Sequence, residues 1–521
     1  MPAPGGARPQ VSPWVTAISV MAGTFMVVLD STVVNVSLPH IAGSLSATVE
    51  ESTWALTTYL AANAVILPIT GWLANFFGRK RLLIVAVSGF TAASIMCGLA
   101  PSLHVLILWR AIQGLTGGVM QPLSQAVLLE AFPPRERGKA MGFWGLGIVA
   151  APIFGPVIGG WLTDQWSWRW VFYINIPVGV VAVTLISIFI FDPPYIRRGS
   201  ARIDYWGIGL LTVGVGALQI GLDRGQEEDW FSSGLITVLL AVAAACLVAL
   251  IAHELTVRHP VVDLGVFKER TFASGVALIT LVGFVLYGSL VLLPILLQTL
   301  MGYSAFKAGV AMAPRGIGSA LAMPIAGLLT ARIDPRKLLG GGLATGAASL
   351  MWLASLNSNA GYWDLFWPQF VQGIAFGLLF VPLTTITMDP IPKEAMGNAT
   401  SLYNVMRNIG ASTGIALIQT FVARQQQLHI ARLAEHVNPY DNATVLLLAR
   451  LKAAFAAAGA DAVTAARRAA AAVWGMVQRQ AAIMSFLDAF LLLGALFIVL
   501  LPLVLLMRRP AHGPAVSAAS D

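Results

Sequence analysis

The sequence predicts an all-α integral membrane protein with fourteen transmembrane helices, arranged as two six-helix bundles with two inserted helices between them. Composition, a series of apolar segments of spanning length and an internal repeat predict it. Of 521 residues, 57% are hydrophobic and 11% charged, against about 25% charged in an average soluble domain. Mean hydropathy is +0.77. So few polar residues cannot coat a water-facing surface of this size, which excludes soluble enzymes and disordered proteins. Cys97 and Cys246 both lie inside apolar runs. Two cysteines so placed suit neither a disulfide framework nor a thiolate metal site, and both read as small core residues.

Apolar runs of about 20 residues mark spanning helices. They fall at 14–37, 52–74, 82–100, 104–129, 139–162, 168–191, 204–222, 233–253, 272–297, 305–330, 338–356, 362–388, 397–420 and 481–507. Alternating ten-residue strands are absent, which argues against a β-barrel. The first run is too long for the apolar region of a cleaved signal. The resulting organisation is a tail (1–13), a first bundle (14–191), two inserted spans (204–253), a second bundle (272–507) containing a long loop (421–480), and a second tail (508–521).

Orientation follows from the loops that carry Lys and Arg. One set holds Arg8, Arg79, Lys80, Arg81, Arg135, Arg137, Lys139, Arg197, Arg198 and Arg202. It continues with Arg258, Lys268, Arg270, Arg332, Arg336, Lys337, Lys393, Arg508 and Arg509. The short loops opposite, with the span ends beside them, hold Arg169, Arg224 and Lys307. Both termini are therefore expected in the cytoplasm. The formal charge of +8 is topological, and no nucleic-acid partner is expected. Loop 421–480 is long enough to escape the charge rule. Its alanine runs, Ala453–Ala454 with Ala456–Ala458 and Ala469–Ala472, favour helix. A small helical segment outside the membrane is expected there, with a solvated linker as the alternative.

The chain repeats itself. GWLANFFGRKRLL at 71–83 is echoed by GLLTARIDPRKLL at 327–339, Ile112-Gln113-Gly114 by Val371-Gln372-Gly373, and Pro122-Leu123 by Pro382-Leu383. Spans 1–6 and 9–14 thus look like two copies of one unit. Parallel repeats of this kind suggest a transporter with a central, alternately exposed cavity.

Several residues at membrane depth are candidates for chemistry. Asp30 sits well inside span 1, where an ionised carboxylate needs water or a partner. It reads as a proton carrier, or as a buried carboxyl holding helices together. Arg110, early in span 4, would modulate Asp30 if the two are close; alternatively it snorkels to the interface. Gly155, Pro156, Gly159 and Gly160 give span 5 a small-residue face and a helix breaker, suited to close packing along a seam where the halves rock. Gly71, Gly78, Arg79 and Lys80 form a basic turn that reads as a gate or as simple anchoring. Asp223, Arg315, Arg407 and Asp488 are further charges near membrane depth; Arg407 and Asp488 could each line the cavity or pair with one another. Trp54, Tyr59, Asn63, Gln121 and Asn404 could line a substrate cavity suited to bulky, amphipathic or cationic ligands, the last through cation–π contact.

No GxxxxGK[ST] loop, HExxH pattern or marked Ser–His–Asp set is present, so no enzyme activity and no cofactor or metal are expected. Energy would come from an ion gradient or another subunit.

At LDSTVVNVSLP (29–39), WRAIQG (109–114) and GPVIGG (155–160) the chain resembles the fourteen-span drug:H+ antiporters of the major facilitator superfamily. Asp223-Arg224-Gly225 with Asp229-Trp230-Phe231, the Pro382–Thr387 run and the long 421–480 segment resemble the EmrB-like subunits of tripartite exporters. The resemblance implies the major facilitator fold and proton-driven efflux of hydrophobic or amphipathic toxic compounds, hence antibiotic resistance. It also implies the inner membrane of a Gram-negative bacterium, with a periplasmic adaptor of EmrA type and a TolC-type outer-membrane channel as partners. Two departures stand out. Asn75 replaces the usual acidic residue of the gate motif, and Gln369 stands where Arg110 stands in the first half. A non-transporting receptor or scaffold and an importer of a small solute remain alternatives on the same fold. Adaptor contact, if any, is expected at 421–480.

Overall fold

The computed structural model describes residues 12–193, 204–257, 260–357, 360–438 and 440–507. Most of the first tail, the whole second tail, and Arg197, Arg198, Arg202 and Arg258 lie outside the described residues. Every regular element among the described residues is helical.

The first bundle comprises α1 (Pro13–Ser44), α2 (Val49–Ile66), α3 (Thr70–Phe77), α4 (Arg79–Gly98), α5 (Leu103–Gly117), α6 (Met120–Ala131), α7 (Arg137–Gln165), α8 (Trp170–Tyr173) and α9 (Asn175–Phe189). These nine helices make six spans because three spans are broken. Spans 2, 4 and 6 had no break in the sequence reading, and each break has a local cause. Helices α2 and α3 meet at 60° across Leu67-Pro68-Ile69, where the proline lacks the N–H that would continue the helix. Between α5 and α6, a Cβ on Gly118 would lie 2.7 Å from the Asn63 carbonyl oxygen of α2, so the chain can approach that closely only as glycine. Span 6 breaks at Ile174, three residues before Pro177.

The insertion is α10 (Tyr205–Arg224) and α11 (Gly234–Glu254). Asp204 caps α10 by accepting from Gly207 N at 2.9 Å and meets His253 Nε2 at the end of α11. That contact closes the hairpin. Helix α10 packs against α2 of the first bundle and α16 of the second, while most of the α11 surface is unpacked and apolar.

The second bundle comprises α12 (Arg270–Ile295), continued by a π-helical turn over Leu296–Leu300, then α13 (Ala305–Leu329), α14 (Pro335–Ala354), α15 (Tyr362–Met388), α16 (Met396–Glu435), α17 (Asn442–Ala457) and α18 (Ala462–Leu500). All fourteen predicted spans coincide with helix. Among the described residues ten helices are long and apolar enough to cross a membrane, or eleven with α2–α3 counted as one span. The other three spans are α7, some of whose side chains lie outside the described residues, and α14 and α16, which glycines and polar residues dilute.

Residues 421–480 are not a separate unit. Helix α16 leaves span 13 unbroken as far as Glu435, α18 begins at Ala462 well before span 14, and α17 packs on α18 between them. Asp441 and Asp461 cap α17 and α18 through Thr444 and Thr464, as N-terminal aspartates do for free helix N–H groups.

The bundles meet where α7 faces α13 and where α3 and α6 face α16. Several glycines there leave no room for a side chain. A Cβ on Gly138 would sit 2.8 Å from the Gly327 oxygen, one on Gly142 2.7 Å from the Met323 oxygen, and one on Gly71 2.7 Å from Asn398 Cα. All three lie toward the end of the molecule that carries the Gly78 turn, so that end is held closed.

Candidate functional site

Asp30 and Arg110 form an ion pair in the core of the first bundle. Arg110 Nη1 donates to Asp30 Oδ2 at 2.6 Å, and neither side chain has any exposed surface. The other carboxylate oxygen accepts from Gln113 Nε2 at 3.0 Å and Asn175 Nδ2 at 2.8 Å. Arg110 also donates to Gln113 Oε1 at 2.7 Å and to the Ala55 carbonyl at 3.2 Å, and its guanidinium lies 4.0 Å from the Tyr59 ring centroid. Asn175 reaches Ser94 Oγ, which donates to the Phe172 carbonyl. Local spacing explains the convergence: Arg110 and Gln113 are one turn apart on α5 and share a face. A buried ion pair persists only when most of its remaining valences are met; α1, α2, α4, α5, α8 and α9 each contribute, while Arg110 Nη2 and Asn175 Oδ1 have no hydrogen-bond partner among the described residues. The snorkelling alternative for Arg110 is overturned, because its guanidinium turns inward to a carboxylate.

The second bundle holds a neutral counterpart. Adding 259 to the numbers of Asp30, Arg110 and Gln113 gives Ser289, Gln369 and Gln372. Gln372 Nε2 donates to Ser289 Oγ at 3.1 Å, and Gln369 donates to Gln372 at 3.2 Å. The repeat conserves the glutamine-to-α1-type contact and replaces both charges.

The span-5 glycines pack differently from expectation. A Cβ on Gly155 would lie 2.0 Å from Thr32 Oγ1 and one on Gly159 3.0 Å from the Val33 oxygen. Both contacts join α7 to α1 inside the first bundle, so this seam is not between the halves. Between the halves, α7 uses Gly138 and Gly142 instead. Gly160 has only Val36 within reach, and the Pro156 side chain lies outside the described residues.

In the basic turn, Gly78 has φ of 85°, a value that favours glycine. Arg79 pairs with Glu130 of α6. Lys80 N donates to Asp192 Oδ1 at 2.9 Å, and its ammonium to the Ser187 carbonyl. These ties stay within the first bundle, and Gly71 packs against Asn398 of the second.

Arg407 and Asp488 do not pair. Arg407 Nη2 donates across the bundle interface to Gln121 Oε1 at 3.0 Å, whereas Asp488 Oδ2 lies 2.7 Å from His429 Nε2. The reason is geometric: Arg407 faces α6, while Asp488 faces the outer part of α16. Asn404 Nδ2 donates to Gln125 Oε1 at 2.6 Å, a second bridge between the halves. Asp223 accepts from the Thr57 hydroxyl, and Arg224 lies 4.3 Å over the Trp54 ring. Trp54 and Asp223 therefore join the insertion to α2 rather than lining a cavity between the bundles. Tyr59 is buried against Arg110. Asn63 is half-buried beside Gly118, and Arg315 is half-buried on α13.

The family model for the Major Facilitator Superfamily matches residues 20–415. The chain belongs to the major facilitator superfamily. It is 43% identical over 426 residues to "Multidrug export protein EmrB" of Haemophilus influenzae, covering 81% of this chain and 83% of the relative. It is 38% identical over 504 residues to "Fatty acid resistance protein FarB" of Neisseria gonorrhoeae, covering 96% of each. Among solved structures, the human organic anion transporter MFSD10 superposes with a TM-score of 0.59 at 13% identity, over 94% of this chain and all of that one. That likeness concerns the fold alone.

This major facilitator chain is thus a multi-pass membrane transporter, not an enzyme. Gln113, Asn175, Ser94, Gln125 and His429, which meet these charged and polar residues in the structure, are not singled out by the sequence. Gln113 was visible inside WRAIQG. Asn175 and Ser94 are single neutral polar residues in apolar runs, a pattern that by itself does not select them.

Proposed function

We propose that this chain is a proton-coupled multidrug efflux antiporter that exports hydrophobic or amphipathic toxic compounds. It would sit in the bacterial inner membrane with both termini cytoplasmic and draw on the proton gradient without a cofactor. It would form the inner-membrane component of a tripartite pump with an EmrA-type adaptor and a TolC-type channel. The observation that carries the coupling is the sealed Asp30–Arg110 pair inside one of two repeated bundles. The printed names of its relatives, multidrug export and fatty acid resistance, support the substrate class.

The geometry suggests how coupling works. In this conformation Asp30 is out of reach of water and its charge is matched by Arg110. A proton arriving at Asp30 in another conformation would remove that match and leave Arg110 seeking another partner. Thr32 and Val33, the next turn of α1, fit against Gly155 and Gly159 of α7, and α7 in turn meets α13 across the interface. A shift of α1 against α5 would therefore be felt where the two bundles touch.

Drug-induced proton release from proteoliposomes tests this. Wild type should release protons on substrate addition, and Asp30→Asn should not. Unchanged coupled transport by Asp30→Asn would remove Asp30 from the mechanism. Accumulation of substrate in everted vesicles only under a proton gradient separates an exporter from a scaffold or an importer.

A further inference from the structure

Arg407 is a buried cation that lacks a counter-charge. It lies 11 residues into α16, about 16 Å along the helix, and is 5% exposed. Arg110 and Arg79 each meet a carboxylate. Arg407 makes no ion pair among the described residues; it meets the neutral Gln121 amide and lies 5.9 Å from the Phe380 ring centroid. Its Nε has no hydrogen-bond partner, and neither do the neighbouring Gln125 Nε2 and Asn404 Oδ1. Gln125 and Asn404 have no exposed surface. A buried polar atom left unmet costs about 1–3 kcal/mol, and more when it is charged, so this state is incomplete at that spot.

The spot is also built from both bundles. Gln121 and Gln125 are one turn apart on α6, and Asn404 and Arg407 one turn apart on α16. Each pair faces the other across the interface. Next to them Trp144 of α7 stacks on Phe380 of α15, with centroids 5.6 Å apart and planes at 12°. A guanidinium, three amides and an aromatic wall converge where the two repeats meet, the place where transporters of repeated architecture bind their cargo.

We propose that Arg407, Gln121, Gln125 and Asn404, with the Trp144–Phe380 stack, form a recognition site for an amphipathic organic anion. Its anionic group replaces Gln121 on the guanidinium. The unmet atoms set the chemistry. Two are donors, one of them cationic, and one is an acceptor, so the ligand group must be rich in acceptors and negatively charged, as a carboxylate is. Its apolar body lies against the aromatic stack. Cations of the same shape are disfavoured because Arg407 repels them. Arg407 thereby selects the sign of the cargo, separately from Asp30, whose partners are Arg110, Gln113 and Asn175 within the first bundle. This inference deepens the export reading and rests on it.

The test uses the full chain in detergent, with 1-pyrenebutyrate and a pyrenylbutyl trimethylammonium salt as matched probes in equilibrium dialysis. Wild type should bind the anion about tenfold or more tightly than the cation, the scale of one charge-assisted hydrogen bond. Arg407→Gln should lose that preference, Arg407→Lys should keep its sign, and Gln121→Ala should bind the anion as tightly as wild type or more so. If Arg407→Gln does not fold, the other two variants carry the test. Equal affinity of wild type for both probes overturns the proposal, as does an unchanged preference in Arg407→Gln or a lost preference in Arg407→Lys. Binding needs no transport, so failure of drug-driven proton release with anion preference intact would overturn the export reading alone.

Discussion

Ser289 stands in the second bundle where Asp30 stands in the first, and each accepts a hydrogen bond from a glutamine 83 residues further along, at 3.1 Å and 3.0 Å respectively. The two copies keep the neutral scaffold of the site, and only the first adds a carboxylate and a guanidinium. The charges are therefore not required for the helices to pack in this way.

That contrast predicts the behaviour of a double variant. Asp30→Asn alone leaves Arg110 buried without a counter-charge, a change that costs about 3–5 kcal/mol in buried pairs, so the thermal midpoint should drop sharply. Adding Arg110→Gln should restore most of the lost stability, because both residues are then neutral as in the second bundle. Proton release should stay absent in both. A double variant no more stable than Asp30→Asn would show that the pair does not act as a unit.

Gly155 has no space for a methyl group beside Thr32. Gly155→Ala should force α7 away from α1 and destabilise the first bundle by about 1–3 kcal/mol, the usual penalty of overpacking. Combining it with Thr32→Ala should recover part of the loss, since Thr32 Oγ1 and Cβ are the nearest atoms. Melting curves of the three variants in detergent decide the matter.

Gly138 acts at the other end of the same helix, between the bundles. Gly138→Ala should strain the closed contact with Gly327 and favour conformations in which that end is parted. With Asn398→Cys as a reporter on a background free of Cys97 and Cys246, thiol labelling should be faster when Gly138→Ala is present. Equal labelling rates would mean that this contact does not hold the end shut.

Asp441 and Asp461 predict a response to acid outside the membrane. Bonds from the Thr444 and Thr464 hydroxyls and from backbone N–H groups hold both carboxyls below the usual aspartate range. A depressed value means that the caps are fully present above the unfolded value of about 3.9. Their contribution fades as pH falls through the lower folded value. A spin label at Leu447→Cys on α17 should gain mobility on acidification below about pH 4. Asp441→Asn, which caps without titrating, should remove the part of that response due to α17.

Replacing 436–461 with a short Gly-Ser turn removes α17 and leaves the spanning parts of α16 and α18 intact. The bundle should remain folded, and capture of an EmrA-type adaptor should be lost. Undiminished co-purification would place the adaptor contact elsewhere.

Much of this was legible from residue chemistry. Asp30 and Arg110 stood out because charges in apolar runs are rare, and fourteen apolar runs became fourteen helical spans. What the sequence did not contain was the choice of neighbour. A small-residue face shows that a helix is approached closely but not by which one, so the sequence suggests a seam between the halves at Gly155 and Gly159, whereas both face α1. The opposite charges of Arg407 and Asp488 allow a pair, with separate places on the cavity wall as the alternative. Helix crossing gave them Gln121 and His429 instead. The breaks in spans 2, 4 and 6 fell inside continuous apolar runs, where one proline or glycine outweighs the periodicity around it.

The unbroken course of α16 into the outer segment has a mechanical consequence. Residues 421–435 make a stiff arm of about 22 Å beyond the predicted end of the span. If the second bundle tilts by about 10° during the cycle, within the scale of subunit rotations in switching proteins, the tip of that arm sweeps about 4 Å. A protein seated there would be pushed each time cargo crosses, so the arm converts a small rotation within the lipid into a displacement that an external component can sense.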